Sequence, residues 1–180
     1  HNSDRRQRQM CIRDRHRLME IFCKDKKLNI SPYYFKPGFA YGGSCLPKDL
    51  LATKTLGENQ NINIPLISSI SKSNESLIER LIQFILDSNF KAIGIVGLSF
   101  KSGTDDVRNS PIIPVVKAIQ NAEKSVLIYE QFIDEQLLGS NNEFLTDNLP
   151  GIESLMSETL DDLISNCELI ICFTNNSFVE

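Results

Sequence analysis

The spacing of apolar residues changes along this chain and predicts two kinds of secondary structure. Apolar side chains recur at steps of three and four residues at Ile67, Ile70, Leu77, Ile78, Leu81, Ile82 and Ile85. This pattern predicts one long amphipathic helix that ends near Asp87. The run AIGIVGL, residues 92–98, is continuously apolar, as in a buried strand. Strands then alternate with helices, which predicts a parallel, doubly wound sheet of the α/β class.

The remaining predicted elements are shorter. They are helices at 18–27, 47–55, 110–121 and 160–165 and strands at 125–129 and 168–173. A turn is expected at 57–63. Residues 28–44 (LNISPYYFKPGFAYGGS) form a loop that is too apolar for a solvated linker, so we expect it to line a pocket.

The charge of the chain is unevenly distributed. Residues 1–17 carry six arginines against two aspartates, whereas the whole chain has a formal net charge of −4. This arginine-rich stretch has no sustained apolar period, and we expect it to be non-native or disordered; the alternative is a basic N-terminal arm. The remaining body is mildly acidic and lacks basic, aromatic-studded patches, so it gives no reason to expect nucleic-acid binding.

The composition of the chain predicts its cellular compartment and whether it contains a metal site or disulfides. The apolar runs are too short to span a membrane, and no apolar signal-peptide core is present, so we expect a cytoplasmic location. The five cysteines include no CxxC pair, and the only imidazoles are His1 and His16. We therefore expect no metal site and no disulfide framework. Three cysteines lie on apolar stretches and are expected in the core: Cys23, Cys167 and Cys172.

Cys45 is the candidate nucleophile. It follows Gly42, Gly43 and Ser44 and opens a predicted helix whose first turn holds Lys48. A helix N-terminus and a nearby ammonium group both stabilise a thiolate, and paired glycines let a substrate approach the backbone closely. The alternative is a structural cysteine, against which the glycine pair argues. Asp49 is expected to position a water or, equally, to compensate the helix dipole in the same first turn.

A second candidate site lies at residues 97–111, GLSFKSGTDDVRNSP, where a strand is expected to end and a helix to begin. Such junctions bind phosphates at the carboxyl edge of a parallel sheet. The glycine spacing is not that of the GxGxxG dinucleotide motif. Lys101 and Arg108 supply two cations here, and the alternative for each is a solvated surface position.

Two segments, PGFAYGGSCLPKD and GLSFKSGTDDVRNSP, resemble the catalytic-cysteine motif and the C-terminal-domain signature of the UDP-glucose/GDP-mannose dehydrogenase family. The resemblance covers Leu18 to Glu180 nearly continuously. The stretch KLNISPYYFKPGFAYGGSCLPKDL is more similar to the GDP-mannose branch than to the UDP-sugar branches. Lys36 departs from that branch, which usually has arginine there, and lysine cannot reproduce a planar bidentate grip on phosphate.

The resemblance implies an NAD-dependent oxidation of GDP-mannose to GDP-mannuronate by two hydride transfers. Cys45 would form a thiohemiacetal that is oxidised to a thioester, and Asp49 would assist proton transfer and hydrolysis. Substrate-binding positions implied by the resemblance are Tyr33, Tyr34, Lys36, Phe39, Gly42 and Lys101. Cofactor-binding positions implied in the same way are Lys48 and Arg108. Two alternatives stay open: a UDP-glucose or other UDP-sugar dehydrogenase, and a non-catalytic nucleotide-binding module.

The resemblance also implies a domain organisation. Residues 18–88 would form a central helical domain with the cysteine loop, whose long helix makes a homodimer. Residues 89–180 would form a Rossmann-like domain that binds the UDP- or GDP-sugar, and the resemblance leaves its completeness open. The N-terminal NAD-binding domain of the family is missing from the sequence, so we expect this chain by itself to be inactive.

Overall fold

The computed structural model describes residues 17–27, 31, 38–100, 106–130 and 139–173, with only the backbone described at 139–143. The chain divides into two units, His1–Phe39 and Ala40–Glu180. Most of the arginine-rich segment predicted at 1–17 lies outside the described residues. The domain boundaries predicted after 17 and after 88 stay predictions.

The described part of the first unit contains one helix, α1, at 17–22. It is shorter than the predicted helix at 18–27. The amide of Lys24 donates to Ile21 O at 3.1 Å, and the amide of Lys27 donates to the side chain of Asp25 at 2.8 Å. An aspartate side chain that accepts from a nearby amide offers the backbone an alternative to the helix, so the chain continues in turns.

Two helices begin the second unit: α2, Cys45–Asn59, and α3, Pro65–Asp87. The predicted long helix is confirmed by α3. Helix α2 runs past the predicted turn at Gly57 because that glycine is buried beneath Ile64, whose Cδ1 lies 2.6 Å from where a Cβ would stand. The turn is made later, by Asn61 with φ 55°. Asparagine tolerates this left-handed conformation better than most residues.

The rest of the unit is built on a three-stranded parallel sheet. Along the chain its helices and strands are β1 Ala92–Val96, α4 Ile113–Asn121, β2 Ser125–Tyr129, α5 Gly139–Asn148, a 3₁₀ turn Ile152–Leu155, α6 Leu160–Asn166 and β3 Leu169–Cys172. The strands lie in the order β2-β1-β3. Central β1 pairs Ile93 with Val126 on one side and with Leu169 on the other. The predicted parallel α/β fold is confirmed.

Both faces of the sheet are covered by helices. Gly94 faces α6, since a Cβ there would lie 2.6 Å from Leu163 Cδ2. Neighbouring side chains on a strand point to opposite faces. Accordingly Ile93 and Ile95 are fully buried in a separate apolar cluster that includes the buried residues of α4. Within the described part of the chain, no helix is both long enough and apolar enough to cross a membrane.

Some boundaries differ from prediction for local reasons. Strand β1 ends at Val96 because Gly97, with φ 94°, turns the chain away. Helix α4 begins three residues later than predicted, after a turn in which the amide of Ile113 donates to Ser110 O at 3.2 Å. Helix α5 was not predicted, since the sequence GSNNEFLTDN contains too few apolar residues to show a helical period.

Lys124 joins the end of α3 to the sheet, and its removal should lower stability. Its ammonium donates to three backbone carbonyls, Ile85 O at 3.0 Å and Ser88 O and Phe90 O at 2.8 Å. A cation at a helix C-terminus is favourable, and hydrogen bonds to charged groups are the stronger ones. We expect Lys124→Met to lower the free energy of unfolding by about 2 kcal/mol in urea denaturation.

The matched control is Lys54→Met, which removes only an exposed pair to Glu58 at 3.9 Å. Such a pair is worth roughly 0.3–0.5 kcal/mol. Equal midpoints for the two variants would contradict a capping role for Lys124.

Candidate active site

Cys45 is the first residue of α2, and its side chain is exposed. The N-cap is Ser44, whose Oγ lies 3.8 Å from Cys45 Sγ. The first amides of a helix have no partner within it and give this end a partial positive charge. The sulfur is therefore accessible to a substrate and stands where negative charge is favoured.

The loop before Cys45 is fastened to α3 by one amide side chain. The backbone N–H of Tyr41 donates to Asn74 Oδ1 at 2.8 Å, and Asn74 Nδ2 donates to Tyr41 O at 3.0 Å. Both backbone groups of Tyr41 are thus satisfied by the same half-buried side chain. Nothing in the sequence singled out Asn74, which lies 33 positions away.

The glycine pair before Cys45 packs directly on the second motif, residues 97–111. Gly42 is buried, and a Cβ added to it would overlap Asn109 O and lie 2.8 Å from Pro111 Cδ. Gly43 has φ 82°, and a Cβ there would lie 2.8–3.0 Å from the ring of Phe100. Asn109 Nδ2 donates to Gly43 O at 3.2 Å. The structure therefore brings the two motifs together at the cysteine loop.

Lys48 and Asp49 extend from α2 into solvent. Lys48 Nζ lies 3.8 Å from Asp49 Oδ1, and the two side chains are 73% and 70% exposed. Because α2 begins at Cys45, its first turn contains no acidic residue. The prediction that Asp49 compensates the helix dipole from the first turn is therefore wrong. Its assistance to hydrolysis stays a prediction.

Arg108 is held by a carboxylate of its own loop. Its Nε and Nη2 each donate to Asp106 at 2.8 Å, and its backbone N–H donates to Asp106 Oδ1 at 3.0 Å. These hydrogen bonds from Arg108 hold the pKa of Asp106 below its usual value. The side chain of Arg108 is 56% exposed, so it still presents part of its surface to solvent.

The amides at the end of β1 are engaged by a buried carboxylate. Leu98 N and Ser99 N donate to Glu130 Oε2 at 2.6 and 3.1 Å. The expectation that this strand-to-helix junction binds phosphate therefore does not hold for these two amides. The sequence contained only a weak signal for this contact, an acidic residue directly after β2.

Two family models match the chain. The central domain of the UDP-glucose/GDP-mannose dehydrogenase family matches residues 9–76, and the UDP binding domain of the same family matches residues 94–179. The chain belongs to the UDP-glucose/GDP-mannose dehydrogenase family.

Individual relatives agree with this assignment. A GDP-mannose 6-dehydrogenase from Pseudomonas putida is 34% identical over 159 residues, which are 88% of this chain and 36% of the relative. A UDP-glucose 6-dehydrogenase from Rickettsia conorii is 38% identical over 106 residues, 56% of this chain and 24% of the relative. The crystal structure of a ternary complex of GDP-mannose dehydrogenase from Pseudomonas aeruginosa matches with a TM-score of 0.76 and 31% identity, over 89% of this chain and 37% of that chain. This chain thus spans about a third of the length of the GDP-mannose dehydrogenases.

Some positions implied by the family resemblance cannot be placed in the structure. Tyr33, Tyr34, Lys36 and Lys101 lie outside the described residues. Phe39 belongs to the first unit and is 36% exposed. The described residues that the structure brings together around the family's cysteine loop are Gly42, Cys45, Lys48, Asp49 and Arg108, the last through its neighbour Asn109.

A cleft of about 440 Å³ adjoins the cysteine loop of this family member. Tyr41, Asn74 and Asn109 line it, together with Ser110, whose buried hydroxyl has no hydrogen-bond partner among the described residues. Cys45 does not line this cleft.

The pair of hydrogen bonds from Asn74 to the backbone of Tyr41, here called the Asn74 clamp, gives a testable prediction for this family member. Asn74→Ala removes both bonds to Tyr41, so we expect the free energy of unfolding to fall by about 1–3 kcal/mol. Asn74→Asp keeps the acceptor and loses the donor. Its free energy of unfolding should lie between those of Asn74→Ala and wild type. Urea denaturation measures both. As a control, Gln83→Ala removes a hydrogen bond to Asp87 on the exposed surface of the same helix and should cost less than either Asn74 variant. An Asn74→Ala midpoint equal to that control would exclude the clamp.

Proposed function

We propose that this chain binds the sugar and carries the covalent intermediate in a nucleotide-sugar dehydrogenase that oxidises GDP-mannose to GDP-mannuronate. The observation that carries the proposal is the contact between the two motifs. The glycine pair before Cys45 packs on Phe100, Asn109 and Pro111, which supports a single site that contains the nucleophile and the cation-bearing loop. The family assignment supports the same chemistry.

Cys45 is the proposed catalytic residue. Its sulfur attacks the carbon of an aldehyde, a C–S bond forms, and the former carbonyl oxygen takes up a proton to give a thiohemiacetal. NAD supplies the hydride acceptor both for the alcohol-to-aldehyde step and for oxidation of this intermediate to the thioester. Water then attacks the thioester carbon, the C–S bond breaks, and the sulfur leaves as a thiolate while the carboxylate is released. Asp49, one helical turn after Cys45, is proposed to take the proton of that water.

The described residues fit only a minor part of an NAD site. The amides at the β1 turn, where a dinucleotide fold receives pyrophosphate, are bonded to Glu130. What the chain offers the cofactor are the exposed cations Lys48 and Arg108, each beside a carboxylate. For the substrate we propose contacts from Tyr33, Tyr34, Lys36, Phe39, Gly42 and Lys101.

The relatives support two sugar nucleotides unequally. Similarity to GDP-mannose 6-dehydrogenase extends over 159 residues, whereas similarity to UDP-glucose 6-dehydrogenase reaches a higher identity over only 106. The longer match favours GDP-mannose. The shorter match keeps UDP-glucose as the second candidate.

Titration calorimetry on the protein extended to the length of its relatives separates these candidates. We expect GDP-mannose to bind at least about tenfold more tightly than UDP-glucose, a difference of about 1.4 kcal/mol. The reverse order would replace GDP-mannose by a UDP-sugar. Binding without any oxidation of either sugar would support the non-catalytic alternative.

We also propose a homodimer formed through α3. Large apolar side chains of this helix stay exposed in the single chain: Leu66, Ile70, Phe84 and Leu86. Such exposure on a long amphipathic helix is typical of a contact surface. We expect sedimentation to show a dimer that Phe84→Glu dissociates, whereas Glu79→Gln on the same helix leaves it intact. A monomeric wild type would contradict this assembly.

A further inference from the structure

Glu130 is a charged residue in a buried position. It directly follows β2, is 7% exposed, and accepts hydrogen bonds from Leu98 N at 2.6 Å and Ser99 N at 3.1 Å. Burying a carboxylate is costly unless its oxygens receive hydrogen bonds. Bonds from backbone N–H groups to an ionised acceptor are among the strong ones, so these two compensate part of that cost.

The two amides lie where parallel α/β folds commonly bind an anion. They follow the central strand at the carboxyl edge of the sheet, and successive N–H groups in such a turn form a concave anion site. Gly97, with φ 94°, turns the backbone here, and its own N–H donates to Tyr129 O at 2.9 Å. In this protein the anion in the turn is a side chain of the neighbouring strand end.

The same turn leads directly to the cysteine loop. Ser99 is followed by Phe100, whose ring lies against Gly43 and whose N–H donates to Asp106 O at 3.1 Å. Gly43 in turn precedes Cys45 by two residues. A shift of the 98–99 amides would therefore move the ring that supports the glycine pair.

We propose that Glu130 is a positioning residue that takes the place of a ligand phosphate in the β1 turn and holds Phe100 beneath the loop of Cys45. A nucleotide phosphate is consequently bound by side chains of the site and not by the 98–99 amides. The statement about phosphate binding rests on the proposed function, whereas the effect of Glu130 on the cysteine loop does not.

Hydrogen exchange followed by mass spectrometry tests the proposal on this chain. We expect Glu130→Ala to raise amide exchange about tenfold at 98–100 and at 41–45, since Leu98 and Ser99 each lose a bond to a charged acceptor and the ring of Phe100 no longer supports Gly43. Formate at high concentration should return the rates towards wild type by occupying the vacated anion site. Formate should leave the wild-type rates unchanged.

Glu168→Ala is the matched control. Glu168 Oε2 also accepts from two backbone amides, Lys91 N at 2.6 Å and Ala92 N at 3.4 Å, but at the opposite end of β1. It should leave exchange at 41–45 unchanged. A folded Glu130→Ala variant with wild-type exchange at 41–45, or an equal rise in Glu168→Ala, would overturn the proposal.

Where Glu130→Ala does not fold, Glu130→Asp decides. The shorter carboxylate cannot keep both bonds without moving the turn, so exchange at 41–45 should rise in a folded protein, and wild-type rates would overturn the proposal. Calorimetry with GDP-mannose on the protein extended to the length of its relatives tests the proposed function separately. If the wild-type extended protein binds no nucleotide sugar, the proposed function is refuted, whereas the exchange rates still decide the role of Glu130.

Discussion

Replacement of Cys45 by alanine is expected to abolish formation of the sugar acid. The proposed thiohemiacetal and thioester both need this sulfur, so the rate should fall at least about a thousandfold in the protein extended to the length of its relatives. Cys45→Ser should be nearly as inactive, because a hydroxyl is a much weaker nucleophile than a thiolate. Acid formation is measured by chromatography of the nucleotide sugars.

The control for this experiment is Cys172→Ala. The prediction that Cys172 lies in the core is wrong, because its side chain is exposed at the end of β3. It has no place in the proposed chemistry. It should keep wild-type activity. Mass spectrometry of the quenched wild type should find the sugar on the peptide that contains Cys45. Acid formation by the Cys45→Ala variant, with no modification of that peptide in the wild type, would refute covalent catalysis.

Gly42→Ala should produce the largest loss of stability among single methyl additions to the cysteine loop. The added Cβ overlaps Asn109 O, a backbone atom that cannot rotate away, and lies 2.8 Å from Pro111 Cδ. Overpacking of this kind costs about 1–3 kcal/mol and forces the backbone to shift. We expect the urea midpoint to fall accordingly and the two motifs to separate.

Gly38→Ala provides the comparison for this variant. Among the described residues, no atom lies within 4 Å of a Cβ placed there, so the same chemical change should leave the midpoint close to wild type. If Gly42→Ala unfolds at the wild-type midpoint, the close packing of the cysteine loop on residues 109–111 is wrong.

Several features of the site were predictable because they depend on neighbours in sequence. The glycine pair, Ser44 and Cys45 at a helix start form one short stretch, and the structure places Cys45 at the first position of α2 as expected. The long helix followed from apolar residues spaced by its period, and β1 from a continuous apolar run. The extension of α2 through Gly57 was missed because it depends on Ile64 packing over that glycine.

Other features depend on residues far apart in the chain. Asn74 fastens Tyr41 from 33 positions away, Glu130 reaches Leu98 across 32, and Asn109 bonds Gly43 across 66. Each of these side chains is of a type common at protein surfaces, so its identity did not distinguish it from a solvated residue. Whether it bonds a distant backbone group depends on which elements pack side by side.

The amino-acid sequence by itself determined the order and kind of most elements, the parallel α/β class and the residue proposed as nucleophile, because hydrophobic period and turn chemistry act between neighbours. Only the tertiary structure decided that the two motifs touch and that a buried carboxylate occupies the turn after β1. The physical reason is that hydrogen bonds and close packing between distant segments depend on the relative placement of strands, helices and loops.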